Sequence, residues 1–345
     1  QQKDAFRHLV DQILDYDDLD HEAHQRSARE IVGGIMGDPL LVEMLLCPLM
    51  WYGNEREQDM DFGQFCIMYR SIFMEGLARP LAGVRLILKK LVRRYRQLGG
   101  ELRLRSGVQR IHVEKGRASG VVLEDGTQLR ARRILSSAGW VETQRLRDDV
   151  ERVDTAQTGQ MSFVESISIL DVQPQQLGHD RTIVFFNDSE TFHWNCCREL
   201  CDIRTGVVCS PNNFLYGERD DGAPVLPDGV LRITTIANYD RWNSLSSEQY
   251  AIEKLRWYDR AVASAVRFVP DFRRHVIDTD VFTPKTIRRF TGHDRGAVYG
   301  APSKRLDGTT DVENLFLCGT DQGFVGIIGA IISGISVANQ HCLRG

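Results

Sequence analysis

A chain of 345 residues, 42% apolar and 26% charged, has the composition of ordinary globular material, long enough for one large or two modest domains. Its net charge of −4 gives no overall pull toward nucleic acid, and no collagen-like, disordered or low-complexity stretch interrupts it. Eight cysteines fall far short of a disulfide scaffold, and with no secretory signal read in the first residues they imply a reducing, cytoplasmic setting.

Residues 1 to about 75 read as helices. Phe6, Leu9, Val10, Ile13 and Leu14 recur at helical spacing, and Ala28, Ile31, Val32 and Ile35 do so again. Asp38-Pro39 starts another helix, because Asp can cap and Pro suits the first turn. His21 and His24 have no ligand partner at a known spacing and read as surface polarity. The aromatic and methionine-rich stretch from Trp51 to Met74 suits either core packing or the wall of an apolar ligand tunnel.

A helix through Leu86, Leu91, Tyr95 and Leu98 ends at Gly99-Gly100, and beyond it the apolar period changes to two. Leu102/Leu104, Val108 to Val113, Ala118 to Leu123 and Gln128 to Leu135 read as successive strands, with Lys115-Gly116 and Asp125-Gly126 as turns. From Arg79 to Arg133 there are 15 Lys and Arg against 4 Asp and Glu. That excess fits a solvated face, with attraction to anionic lipid head groups as the alternative.

Ser162 to Leu170, Thr182 to Phe186, Gly206 to Cys209 and Val230 to Ile236 read as an antiparallel sheet, and Asp220 to Pro224 and Pro227-Asp228-Gly229 as turns. Cys196, Cys197, Cys201 and Cys209 cluster, but their spacing fits neither paired zinc knuckles nor a Cys-x-x-Cys redox pair, so no metal is expected. A helix follows from Ser247 to about Phe268. His293-Asp294 is no acid/base pair by spacing, since adjacent side chains point apart.

The stretch from Asn314 to Asn339 carries the most information. Leu315 to Cys318 suits a buried strand stopped by Gly319, and Gly326 to Ala338 suits a helix lined with small residues. A strand, a glycine-rich turn and a helix start make an anion cradle, because unpaired N–H groups at the helix N-terminus and the macrodipole both favour negative charge. A nucleotide-type cofactor is the expectation. Gly323 to Ala338 gives 16 residues without interruption, against the roughly 20 that a bilayer core requires.

Asn314-Leu315-Phe316-Leu317-Cys318-Gly319 followed by Gly326-Ile327-Ile328-Gly329 resembles the C-terminal FAD-contacting motif of the phytoene desaturase and carotenoid isomerase-like flavoproteins, relatives of the amine oxidases. The helix, Gly-Gly-Glu, strand, Val108-Gln109-Arg110-Ile111, Asp-Gly hairpin and Ile134-Leu135-Ser136-Ser137-Ala138-Gly139 order is similar to the same family, as is Gly296-Ala297-Val298-Tyr299-Gly300 after a Thr-Pro segment. The resemblance spans roughly residues 40 to 340. It implies an α/β (α+β) fold, with a glutathione-reductase-type FAD-binding Rossmann domain and an antiparallel-sheet and helical substrate domain. The implied segments are 1–78 and 146–285 for the substrate, and 79–145 and 286–345 for FAD.

No early Gly-x-Gly-x-x-Gly follows a strand, so the resemblance also implies a fragment whose first βαβ unit is missing. It makes Val108, Ser137, Ala138, Gly139, Gly319, Thr320, Asp321, Gly326, Ile327, Ile328 and Gly329 cofactor contacts. Tyr299 becomes the candidate for packing near the flavin. The implied activity is hydride transfer between flavin N5 and a long apolar polyene or isoprenoid. Gln322-Gly323-Phe324 stands in place of a common His-Pro-Gly, and Ile328 in place of a proline, which leaves desaturase, isomerase and saturase open. An amine oxidase-like enzyme acting on a polar amine, and a non-catalytic flavin- or lipid-binding protein, are the alternatives; the setting is cytoplasmic, with peripheral contact with an anionic membrane surface as the further option.

Overall fold

The computed structural model describes residues 2–17, 26–216 and 226–343. The His21/His24 pair and the Asp220 to Pro224 turn lie outside the described residues. The chain forms two compact units, each assembled from two separated segments: Gln1–Leu77 with Thr158–Pro302, and Ala78–Gln157 with Ser303–Gly345.

The first unit opens with helices α1 (Gln2–Leu14), α2 (Ala28–Met36), α3 (Pro39–Gly53) and α4 (Phe62–Tyr69). Their starts are chemically specified. The Ser27 hydroxyl accepts from the Glu30 N–H and caps α2, Asp38 accepts from Leu40 and Leu41 at the head of α3, and Asp61 accepts from Gln64 at the head of α4. Gly37, with φ of 67°, closes α2 in the left-handed conformation that glycine adopts without strain.

The second unit begins with α5 (Arg85–Gln97), followed by β1 (Val108–Glu114), β2 (Arg117–Leu123), β3 (Gln128–Arg130), β4 (Ile134–Ser136) and α6 (Trp140–Leu146). Strands β1, β2 and β3 form an antiparallel meander. Two expectations are corrected here. Leu102 and Leu104 are exposed and form no strand, and Gln128 to Leu135 is two strands in different sheets. The Ala131 N–H still bonds the Ser119 carbonyl of β2 at 3.0 Å, and the chain then leaves the meander for β4.

The chain then returns to the first unit as β5 (Ser162–Leu170), β6 (Ile183–Asn187), β7 (Cys201–Cys209), β8 (Gly229–Ala237), helices α7 (Tyr239–Asn243) and α8 (Ser247–Ala265), β9 (Val276–Phe282) and α9 (Pro284–Thr291). The five strands make one antiparallel sheet in the order β6-β7-β8-β5-β9. Its two faces are covered differently. Val164, Leu170, Leu231 and Ile233 pack with Trp257, Ala261 and Val262 of α8. On the other face Phe163, Val207 and Ile236 pack with Trp51, Trp194 and the helical layer. Strand β9 and helix α9 carry no sequence expectation.

The last segment, β10 (Leu315–Leu317) and α10 (Gly326–Val337), completes the second unit. The small core of this unit joins Ile111, Val113 and Ala118 of the meander to Val312 and Leu315. The α10 helix continues as a π-helical turn over Ala338–Leu343, so Gly326–Leu343 is long and apolar enough to cross a membrane by length and composition. Its far end is fastened to its own unit: the His341 ring stacks on Phe316 with centroids 4.3 Å apart and bonds the Asp307 carbonyl at 2.7 Å.

Candidate functional site

Strands β4 and β10 pair in parallel, with Ile134 opposite Leu315 and Ser136 opposite Leu317. Both therefore end at the same edge, and the Ser137 to Gly139 and Cys318 to Asp321 turns leave side by side. In open α/β sheets ligands bind outside the carboxyl ends of parallel strands, where two chains diverge.

The two turns are bonded together. Cys318 donates its N–H to the Ser136 carbonyl at 2.9 Å. The buried Asp321 carboxylate accepts the Trp140 N–H at 2.6 Å, at the start of α6, where a negative charge meets the positive end of the helix. Arg305 lies over the Trp140 ring, 4.1 Å from its centroid, and its backbone N–H bonds the Asp321 carbonyl. Gly319 adopts φ 87° and ψ −148°, a conformation essentially restricted to glycine, and donates its N–H to the buried Ser333 hydroxyl at 2.5 Å. Ser333 donates in turn to Gln322, tying α10 to the turn.

Helix α10 starts without a side-chain cap. Its first residue, Gly326, has φ 75°, and a Cβ built there meets no atom within 4 Å, while Ile327 and Ile328 are exposed. The first turn of α10 thus has no side-chain cap and has space beside Gly326, an arrangement that suits an electron-rich partner. Gly329 is closer packed: a Cβ there would stand 2.9 Å from the Phe324 carbonyl carbon.

Of the sequence candidates, Ser137, Ala138, Gly139, Gly319, Thr320 and Asp321 are brought together at the paired strand ends, and Gly326, Ile327, Ile328 and Gly329 follow on α10. Val108 opens the meander strand β1 opposite Leu123 and makes no contact with these turns among those described. Tyr299 belongs to the first unit, where its hydroxyl donates to the Trp51 carbonyl and its ring meets Phe163 edge-on at 5.9 Å. Burial pushes that phenol far above its ordinary pKa, so it is a neutral donor. Trp140, Gln322 and Ser333 carry no sequence expectation of a role. Only the small-residue stripe of the last helix signalled Ser333.

The meander is locked to the strand pair through α6. The buried Arg147 guanidinium bonds Asp149, Asp311 and Gln144, and Asp148 accepts from the Val113 N–H at 2.8 Å while pairing with His112 at 2.7 Å. Burial alone would raise the Asp148 pKa, but the bonds from His112 and Val113 outweigh it and hold the carboxyl below its ordinary value. A carboxyl depressed in the folded state stabilises above its unfolded pKa and loses that contribution as pH falls through the folded value. Below about pH 4, therefore, the stability gap between the protein and Asp148→Asn should shrink. Urea titrations at pH 7 and pH 3 measure it, and an unchanged gap would contradict the assignment.

No protein-family model matches the chain. Over 278 residues it is 25% identical to prolycopene isomerase, chloroplastic, of Daucus carota, covering 77% of this chain and 44% of that protein. Over 83 residues it is 35% identical to phytoene desaturase of Fusarium fujikuroi, covering 24% of this chain and 15% of that protein. The chain thus spans less than half the length of the curated relatives it matches. In fold it is similar to an oxidoreductase from Methanosarcina mazei, with a TM-score of 0.60 at 13% identity over 96% of this chain and 70% of that one. It is also similar to the CLA-producing fatty acid isomerase from P. acnes, with a TM-score of 0.57 at 11% identity over 99% and 74%. The sequence is thus similar to a carotenoid isomerase over most of this chain and to a phytoene desaturase over a shorter stretch. Its fold is one that oxidoreductases and isomerases use.

Proposed function

We propose that the chain is part of an FAD-dependent oxidoreductase that acts on a long apolar polyene or isoprenoid. The observation that carries this is the parallel β4–β10 pair, whose carboxyl ends hold two bonded turns beside an uncapped helix start. In this reading the pair belongs to a glutathione-reductase-type Rossmann sheet, with Ala78–Gln157 and Ser303–Gly345 as the cofactor segments and Gln1–Leu77 and Thr158–Pro302 as the substrate segments, so that 286–302, expected with the cofactor, go with the substrate.

The residues fit the group. Gly326 leaves room at the head of α10, and the backbone N–H groups of Ile327 and Ile328 supply donors to an electron-rich ring edge. Gly319 and Thr320 bring main chain close, and Asp321, Ser137, Ala138 and Gly139 shape the wall beside them. When bound, FAD supplies the hydride-accepting centre. The chain's own part is to hold and orient the group and to stabilise negative charge at the α10 N-terminus. Tyr299, neutral and committed to Trp51, acts by packing. Desaturation, isomerisation and saturation of the polyene share this machinery, and the named relatives favour the first two.

The test is the absorption spectrum of the protein expressed from its complete reading frame and supplied with FAD. Bound oxidised flavin, bleached anaerobically by an isoprenoid polyene, is the expected result. A folded protein that stays colourless removes the cofactor reading, and a bound flavin that no polyene reduces leaves a non-catalytic binding protein.

A further inference from the structure

Helix α10 is fastened at its far end and nearly loose at its head. Within Gly326–Val337 only Ser333 and Val337 are buried. Val337 lies against Gly308, and beyond it His341 stacks on Phe316. The two turns ahead of Ser333 bury no side chain, and the linker into the helix runs from Gly323 to Gly326, at φ 115° and 75°. A linker with glycine at both ends fixes the direction of a helix poorly. Ser333 is therefore the first residue along α10 that can hold its head in place.

Its hydroxyl does so through a run of hydrogen bonds with one possible arrangement of protons. Leu306 offers a carbonyl, so Gln322 has to present Nε2 to it, at 2.8 Å, and keeps Oε1 as an acceptor. Ser333 therefore donates to Oε1, at 2.5 Å, and uses a lone pair for the Gly319 N–H, at 2.5 Å. Ser333 and Gln322 are 0% and 1% exposed, so bulk water cannot replace either bond. The turn and the loop before β10 are joined a second time, by the Arg305 N–H to the Asp321 carbonyl at 2.8 Å. Turn and loop thus form one block, and Ser333 is the point at which α10 is bonded to it.

We infer that Ser333 and Gln322 are positioning residues, which hold the head of α10 against the strand-end turn and so set how strongly the site favours reduced over oxidised flavin. This rests on the cofactor reading above and adds the control of its charge. Reduction leaves negative charge on the pyrimidine edge of the flavin, and the positive end of a helix acts on a charge only within its first turn. Ser333 lies about 10 Å along the axis from Gly326, so a rotation of about 6° at the anchor moves the head by about 1 Å. Such a shift weakens the hold on the charged reduced ring and changes the contacts of the uncharged oxidised ring less. Without the Ser333 hydroxyl, the Gly319 N–H and Gln322 Oε1 both lose a buried partner, and the helix has to move to admit water.

The experiment uses the protein expressed from its complete reading frame and loaded with FAD. Flavin fluorescence gives the affinity for oxidised FAD, and the midpoint potential against a reference dye gives the ratio of reduced to oxidised affinity. Ser333→Ala and Gln322→Met should each lower that ratio by roughly three- to tenfold, and the double variant by no more than either alone. Trp194→Phe, in the first unit, should leave the ratio unchanged whatever it does to stability, because a change in folding acts on both redox forms alike. A ratio unmoved in folded Ser333→Ala, or single effects that add in the double variant, overturns the inference and leaves the cofactor reading standing. If Ser333→Ala does not fold by circular dichroism, Gln322→Met decides, and an unmoved ratio there has the same consequence. A folded protein that takes up no flavin removes both.

Discussion

Gly319→Val is expected to destabilise the protein by about 1–3 kcal/mol and to abolish flavin uptake. The cause is conformational rather than steric. A Cβ at this position meets only the Ser137 Cβ, at 3.8 Å, so there is room for a side chain, but φ 87° with ψ −148° lies where residues with a Cβ are strained. To relieve the strain the backbone has to rotate, which moves the N–H away from Ser333 and loosens the link between the strand-end turn and α10. Urea denaturation and flavin absorbance after reconstitution measure the two effects. Gly34→Ala is the control: it lies inside α2, its added Cβ meets nothing within 4 Å, and it should stabilise by roughly 0.5–1 kcal/mol without touching the flavin. If Gly319→Val takes up flavin normally, the turn has no part in the site.

Trp194→Ala should have the largest effect on stability, a loss of about 3–5 kcal/mol. Trp194 is fully buried and meets Trp51 at 5.2 Å, Phe192 at 5.8 Å and Phe163 at 5.9 Å between ring centroids. It is the point at which the helical layer, the strand β5 and the loop before β7 meet. Its indole N–H has no hydrogen-bond partner among the described residues. Trp194→Phe keeps most of the ring and removes that orphaned donor, so it should cost less than half as much as alanine. A thermal or urea midpoint for each variant checks the order. Equal losses would mean that the N–H, and not the packing, matters.

Local chemistry was legible in the sequence wherever it repeated or capped. Strand β5 has the limits that alternation gave, Asp38 and Ser246 cap the helices they precede, and Gly99, Gly116 and Gly126 all take positive φ at their turns. Strand β9 escaped notice because Val-Ile-Asp-Thr-Asp-Val-Phe sets two aspartates in a sheet edge, which propensity disfavours and solvent permits. Helix α9 is only eight residues long and offers just Ile287 and Phe290 as large apolar residues, too few to read a period from. The parallel register of β4 with β10 joins residues some 180 apart and leaves no local trace. For the same reason the Trp140–Asp321 bond was hidden, although Asp321 itself was a candidate on its motif.

Because each unit is assembled from two stretches of chain with another unit's residues between them, the order of synthesis works against the order of assembly. The helices of residues 2–69 present Leu9, Val32, Leu46 and Phe65 to a core whose other half, Met161, Phe163, Trp194 and Ile236, leaves the ribosome at least 90 residues later. At about 5–20 residues per second that is an interval of several seconds with the apolar faces uncovered. A nascent chain stalled before residue 160 is thus the form most prone to capture by holdase chaperones, and folding should be slow for a protein so rich in distant pairings.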